Sequence, residues 1–226
     1  YQNIVKAIQS AARKLAAAGR QADLVAANNV LAHVPDIRDF VSGFAVLLKP
    51  DGVATFEFPH LLNMIAKVQF DTIYHEHFSY LSLLAVERIF AQHGLTLFDV
   101  EELPTHGGSL RIYARHSNDA SKPVGSRVVE LRQREEHAGF GTLQHYLSFA
   151  SQVEKTKRKL LTFLIEAKEK GKSVVGYGAP AKGNTLLNYC GVRTDFLDFT
   201  VDRSPYKQGQ LLPGVRIPIF HPDKIK

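Results

Sequence analysis

Apolar residues along this chain change period several times, and each change marks an element. Ile4, Ile8 and Leu15 recur at helical spacing among Lys6, Arg13 and Lys14, which predicts an amphipathic helix over 4–18 closed by Gly19. Ala22-Asp23-Leu24-Val25-Ala26-Ala27 is a short apolar run and predicts a buried parallel strand. The chain leaves it through Asn28, Asn29 and His33, and Asp36 stands where it can cap a helix running to about Leu48. Lys49-Pro50-Asp51-Gly52 reads as a turn, followed by a strand over 53–58 that ends in Pro59-His60. Ser82 to His93 has helical periodicity and meets Gly94. Leu95 to Leu103 and Ser109 to Arg115 then read as strands, joined by a turn short enough to make them antiparallel.

A second pattern begins after a polar stretch, 117–125, that contains Pro123 and Gly125. Helices are predicted over 126–137 and 143–170, the second long and lysine-rich on one face. Lys172 to Gly178 is a strand entering a glycine turn, Ala179 to Cys190 a helix, Phe196 to Asp202 a strand, and Leu211 to Ile219 a third strand. Strand, helix and strand with short connections predict a parallel α/β unit. The fold class is therefore α/β throughout, with one unit over 1–117, a helical linker region over 118–171, and a smaller α/β domain over 172–226.

Composition narrows the class. A chain of 226 residues, 45% hydrophobic and 22% charged, reads as an ordinary globular protein. The single cysteine, Cys190, excludes an intrachain disulfide and a cysteine-built zinc site, and fits a reducing cytoplasm. No apolar run approaches the roughly 18 residues that span a bilayer, so no membrane partner is expected. The net charge of +6 reads as a solvated surface or a patch for an anionic substrate. Lys and Arg form no tract and no nucleic-acid motif accompanies them. The chain starts at Tyr1 and runs directly into a helical pattern, which reads as part of a longer protein.

The chemistry concentrates in Phe70-Asp71-Thr72-Ile73-Tyr74-His75-Glu76-His77-Phe78-Ser79-Tyr80, where Tyr74, His75, Glu76, His77 and Tyr80 can all hold or move protons. In an extended segment Glu76 and His77 point opposite ways; in a helix Tyr74 and His77 share a face. His33 lies past the tip of the first strand, where open α/β sheets bind ligands, or else simply enters the next helix. Asn28 and Asn29 at the same tip either contact a cofactor or cap the following turn. His60, His75 and His106 invite a metal reading, and His75-Glu76-His77 offers ligand types for zinc or iron, but a third ligand would come from afar, and no metal site is assigned. Thr105-His106-Gly107-Gly108-Ser109 is a turn whose glycines let backbone approach a ligand. Gly176-Tyr177-Gly178-Ala179-Pro180-Ala181-Lys182-Gly183-Asn184-Thr185 opens a helix whose N-terminus, with Lys182, attracts phosphate. It matches neither the Walker nor the dinucleotide fingerprint. Lys207 or Arg203 can reach the same anion, or else sit in a solvated loop.

The order of elements in 1–117 resembles the second half of a class I S-adenosylmethionine methyltransferase. Phe70–Tyr80, then Thr105-His106-Gly107-Gly108-Ser109-Leu110-Arg111, then Gly176–Thr185, taken in that order, resemble the C-methyltransferases of deoxysugar biosynthesis. Those enzymes methylate carbon 3 of a nucleotide-linked 4-keto sugar. The resemblance implies S-adenosylmethionine as cofactor, a nucleotide-linked keto-deoxysugar as partner and a cytoplasmic location. It makes 1–117 a partial methyltransferase domain and 172–226 a Rossmann-like substrate-binding domain. Methylation beside a ketone needs a base and a donor to the enolate oxygen. On this reading His77 is the base and Glu76 its partner or alternative. Tyr74 donates to the enolate oxygen or holds the sugar, and His33 donates to the keto oxygen. Asn28 and Asn29 touch the cofactor. Gly178, Lys182, Asn184, His106 and Lys207 hold the substrate. Family members begin with a cysteine-rich zinc domain and a glycine-rich first cofactor loop. Neither is in this sequence, so zinc is expected only in such a preceding domain, and the chain reads as the C-terminal two-thirds. Two other classes stay open: a catalytically incomplete nucleotide-sugar binding module, and a metal-dependent lyase or isomerase using the His cluster.

Overall fold

The computed structural model describes residues 2–226, with side chains from Ile8 onward. Two compact units emerge, one running up to Lys67 and resuming at His75–Leu147, the other comprising Val68–Tyr74 and Ser148–Lys226.

In the first unit, helix α1 (Gln2–Ala17) leads to strand β1 (Ala22–Asn28), helix α2 (Ile37–Leu47) and strand β2 (Leu48–Pro59). A short helix α3 (Leu61–Ala66), helix α4 (Leu83–Ala91), strands β3 (Leu95–Leu103) and β4 (Ser109–His116), and helix α5 (Ser126–His137) follow. The mixed sheet has the order β1-β2-β4-β3, with β1 and β2 parallel and the other pairs antiparallel. The expected antiparallel pair is present, with the later strand, β4, lying between β2 and β3.

Strand alternation decides which face is dry. Ala54, Phe56 and Phe58 of β2 and Leu110, Ile112 and Ala114 of β4 are completely buried in one cluster with Phe40, Val86, Phe90 and Leu131 from the helices. The rings of Phe56 and Phe90 meet edge to face at 5.0 Å. The alternate positions carry the polar set. Glu57 and Arg111 are register partners, as are Glu101 and Arg111. Arg111 donates to Glu57 at 2.8 Å and to Glu101 at 3.3 Å, and Tyr113 donates to Glu101 at 2.9 Å.

Several local expectations are corrected. β1 is parallel but not buried, since it is an edge strand here and Leu24 is 64% exposed. Lys49-Pro50-Asp51-Gly52 is no separate turn: it lies inside β2, and the extra residues are absorbed where the register shifts between Ala22 and Leu24. α3 was not visible in the pattern, being shorter than two helical turns. Asp36 does cap α2, accepting from the N–H groups of Arg38 and Asp39.

In the second unit, helix α6 (Leu143–Glu169) enters from Ser148 onward. Strand β5 (Val175–Tyr177), helix α7 (Ala181–Cys190), strand β6 (Phe199–Val201) and strand β7 (Ile219–Phe220) follow, and the strands form a parallel sheet in that order. Its core joins Leu164, Cys190, Val192, Leu197, Leu212, Val215, Ile217 and Ile219. The strand expected over Leu211 to Ile219 is reduced to its end. Pro213 and Gly214 (φ +77°) turn the chain back, so Leu211 bridges Pro218 instead. The segment 118–171 is not a body of its own: α5 belongs to the first unit, and α6 crosses the division.

Candidate functional site

Asn29 leaves β1 in the left-handed region (φ +55°), and its N–H donates to the Glu57 carbonyl at 2.7 Å. The chain then makes a 3-10 turn over Leu31–His33, with Leu31 and Ala32 buried. The Ala32 carbonyl accepts from the N–H groups of Phe78 at 2.8 Å and Ser79 at 3.2 Å, which ties this turn to the His-rich loop. His33 Nδ1 stands 2.9 Å from the Glu76 carbonyl oxygen. A carbonyl only accepts, so Nδ1 carries the hydrogen and Nε2 of the neutral ring holds the lone pair. The His77 ring lies 4.8 Å from that of His33, and Tyr80 stands edge-on to His77 at 5.9 Å.

The structure therefore brings together His33, the Glu76 main chain, His77 and Tyr80. After a 3-10 turn over Phe70–Thr72 the loop has no helix, so the shared helical face of Tyr74 and His77 does not form. Tyr74 groups with the second unit. The part of Glu76 that meets His33 is its carbonyl oxygen, and its side chain is exposed.

A tightly held turn joins β3 to β4. Thr105 Oγ1 donates to Glu57 at 3.0 Å, Lys67 Nζ donates to the Gly107 carbonyl at 2.8 Å, and the His60 N–H donates to the Gly108 carbonyl at 3.0 Å. His106, exposed, occupies the left-handed region at φ +54°, a conformation retained only where the surroundings impose it. Gly108 sits at φ +129°, and a Cβ there would lie 2.7 Å from Asn63. Beneath the turn, His60 Nε2 is 2.7 Å from Glu135 Oε1, and both side chains are completely buried. Glu135 also accepts from the N–H groups of Leu83 at 2.7 Å and Leu84 at 2.9 Å. Sequence reasoning missed Glu135 and Glu57, and weighed His60 only as a metal ligand. The available signal for Glu135 was its position: it continues the buried face of Val128 and Leu131 at helical spacing.

In the second unit, Gly178 turns the chain at φ +98° and its carbonyl accepts from Thr200 Oγ1 at 2.8 Å. Lys207 is engaged inside the protein: its Nζ donates to the Ala179 carbonyl at 2.9 Å, with Asp202 at 3.5 Å. Asn184 accepts from Asn188 Nδ2 through its carbonyl at 2.9 Å. Lys182, half-buried, lies in the first turn of α7. Asp202 accepts from the N–H groups of Ala179 at 2.7 Å and Ser204 at 2.8 Å. Those N–H groups, Ser204 first, with Lys207 beside them, hold its carboxyl below the usual range. Asp202→Ala is expected to cost about 1–3 kcal/mol near neutral pH by leaving these donors unpaired. The ionised group's extra stabilisation is complete above the unfolded carboxyl value of about 3.9 and is lost as pH falls through the lower folded value. Denaturant titrations of wild type and variant should therefore begin to converge only as pH falls below about 4.

Among the described residues, no group of three or more His, Cys, Asp or Glu is placed to hold a metal ion. No described helix is long and apolar enough to cross a membrane.

The first unit is thus a mixed sheet with an imidazole pair beyond the end of its first strand. Residues 104–226 match the profile described as the C-methyltransferase C-terminal domain, and residues 2–100 match a methyltransferase domain. The chain belongs to the C-methyltransferase family. It is 38% identical over 203 residues to the C-methyltransferase NovU of Streptomyces niveus, an alignment covering 90% of this chain and 48% of that protein. The chain thus spans about half the length of that relative. Two solved structures align to 43% of the chain. One is magnesium protoporphyrin IX methyltransferase from Synechocystis with bound SAH (TM-score 0.34, 16% identity, 46% of that chain). The other is an S-adenosylmethionine-dependent methyltransferase from Clostridium acetobutylicum (TM-score 0.35, 10% identity, 59% of that chain).

Proposed function

We propose that this chain carries the acid–base machinery of an S-adenosylmethionine-dependent C-methyltransferase, acting on a carbon beside the ketone of a nucleotide-linked deoxysugar. The observation that carries the reading is the pairing of two imidazoles, 4.8 Å apart, with the tautomer of one set by a main-chain carbonyl. His77, neutral, takes the proton from the carbon next to the ketone, and the electron pair moves to the carbonyl oxygen. His33 already spends its Nδ1–H on Glu76, so it reaches that oxygen as a donor only through Nε2–H of its imidazolium form. A base and a donor drawn from one pair suit enolisation. Tyr80, edge-on to His77, orients that ring.

Asn28 presents an exposed amide at the C-terminal end of β1, and Asn29 turns the chain there. Such amides can donate to and accept from ribose or amino-acid groups, so the residues fit the cofactor, and these two would hold it. S-adenosylmethionine, when bound, supplies an electrophilic methyl group. His106, on its strained turn, is assigned to the sugar. In the second unit, the first turn of α7 with Lys182 suits a phosphate group, and Gly178, Asn184 and Lys207 hold the loop that presents it. That NovU is a C-methyltransferase supports the transfer to carbon.

The test is deuterium wash-in. A nucleotide-linked 4-keto-6-deoxysugar is incubated in D₂O without cofactor, and the signal at carbon 3 is followed by NMR. Loss faster than in buffer is expected with this chain. Exchange at the buffer rate rejects the reading.

A further inference from the structure

We propose that Glu135, on the helix that follows the first sheet, is a positioning residue for the His33–His77 pair. The inference rests on the reading that these two rings do the chemistry. The His-rich loop is fastened at two places. At one, Phe78 and Ser79 donate to the Ala32 carbonyl beside His33. At the other, Leu81 bridges His60 and its carbonyl accepts from the Leu61 N–H at 3.0 Å, just before α4 begins. Glu135 governs this second fastening from both sides. Its Oε1 takes His60 Nε2 at 2.7 Å and the Leu83 N–H at 2.7 Å, and its Oε2 takes the Leu84 N–H at 2.9 Å.

An ordinary helix cap does not account for this arrangement. α4 already has one: Ser82 Oγ accepts from the Ala85 N–H at 3.2 Å. Nor does packing, because a carboxylate with no solvent exposure carries a large desolvation penalty that an apolar side chain of similar volume would avoid. What the carboxylate does and an apolar group cannot is bind two separate segments at one point. His60 follows the end of β2 and, through its N–H, is tied to the turn that carries His106. Leu83 and Leu84 continue the chain directly from the His77 loop. A shift of the carboxylate moves both, and with them the register in which His77 faces His33.

Glutamine is the sharpest probe, since it keeps size while replacing one acceptor oxygen with a donor, so one of the three converging donors loses its acceptor. Amide hydrogen exchange at Phe78 and Ser79 and the ¹⁵N signals of the His33 imidazole are read by NMR on this chain. They are compared at equal global stability with Leu131→Ala, which loosens the same helix through a buried apolar side chain. Glu135→Gln is expected to speed exchange at Phe78 and Ser79 at least tenfold and to shift His33 away from a pure Nδ1–H tautomer. Leu131→Ala is expected to leave both within twofold of wild type. If the Gln variant does not fold, Glu135→Asp, which keeps the charge and withdraws it by one methylene, should give the same shift to a smaller degree. Exchange unchanged by the Glu135 variants, or changed equally by Leu131→Ala, overturns the proposal. None of these signals needs turnover. Failure of deuterium wash-in would therefore remove the proposed function and leave the loop's dependence on Glu135 measured on its own.

Discussion

Replacing His77 by alanine is expected to slow deuterium wash-in and methyl transfer by about 10²–10⁴-fold, the range that a positioned general base contributes. The acceptor's KM should hold within about twofold, since the imidazole is used in the transition state more than in binding. His33→Asn should cost about 10²–10³-fold by removing a donor from the developing oxyanion. The two variants differ in what restores them. Free imidazole can replace a missing base at the cavity left by His77→Ala. It cannot readily replace His33, whose orientation comes from the Glu76 carbonyl at 2.9 Å. The double variant should be little worse than His77→Ala alone, because groups that act as a unit are not additive. Wash-in and single-turnover methylation are the measurements. A His77→Ala rate within about twofold of wild type would remove His77 as base and pass that role to Nε2 of His33, the lone pair that its hydrogen bond leaves available.

Legibility followed the strength of the local signal. β3, β4 and α5 were readable to within a residue, because apolar spacing recurs along each and a glycine or proline stands next to one end of each element. The edge position of β1 was not readable: an apolar run of that length has the same pattern whether one or two strands flank it. Pairing decided the other cases. Lys49-Pro50-Asp51-Gly52 has turn composition, yet the partner strand accommodates it inside β2. The last strand shrank because the hydrogen-bonding groups of Leu211 and Leu212 turn back on Pro218 and Ile217. In the site, His33 and His77 stood out because titratable residues were concentrated at a strand tip and in one loop. Their facing arrangement, and the use of Glu76 through its backbone, are properties of folded geometry that residue types do not encode. Glu135 was hidden by its own chemistry. In Arg132-Gln133-Arg134-Glu135-Glu136-His137 a charged residue reads as solvated, and the helical spacing that places it on the buried face with Val128 and Leu131 was outweighed by that prior.

Glu135→Ala is accordingly expected to destabilise the first unit by about 3–5 kcal/mol, because three buried donors lose their shared acceptor at about 1–3 kcal/mol each. The informative comparison is with His60→Leu/Glu135→Leu. For a simple buried ion pair, apolar replacement of both members is often neutral or stabilising. Here the carboxylate also accepts from Leu83 and Leu84, so the double replacement leaves two first-turn N–H groups of α4 facing hydrocarbon, at about 1–3 kcal/mol for each that finds no water. The double variant should therefore remain less stable than wild type, while His60→Leu alone leaves a buried carboxylate with only its two main-chain donors. Urea titrations of wild type, both single variants and the double variant give the coupling energy directly. A double variant as stable as wild type would mean that the His60–Glu135 pair is an isolated charge contact. A persistent deficit would locate the energy in the link from α5 to the start of α4, the same link that fixes the exit of the His77 loop.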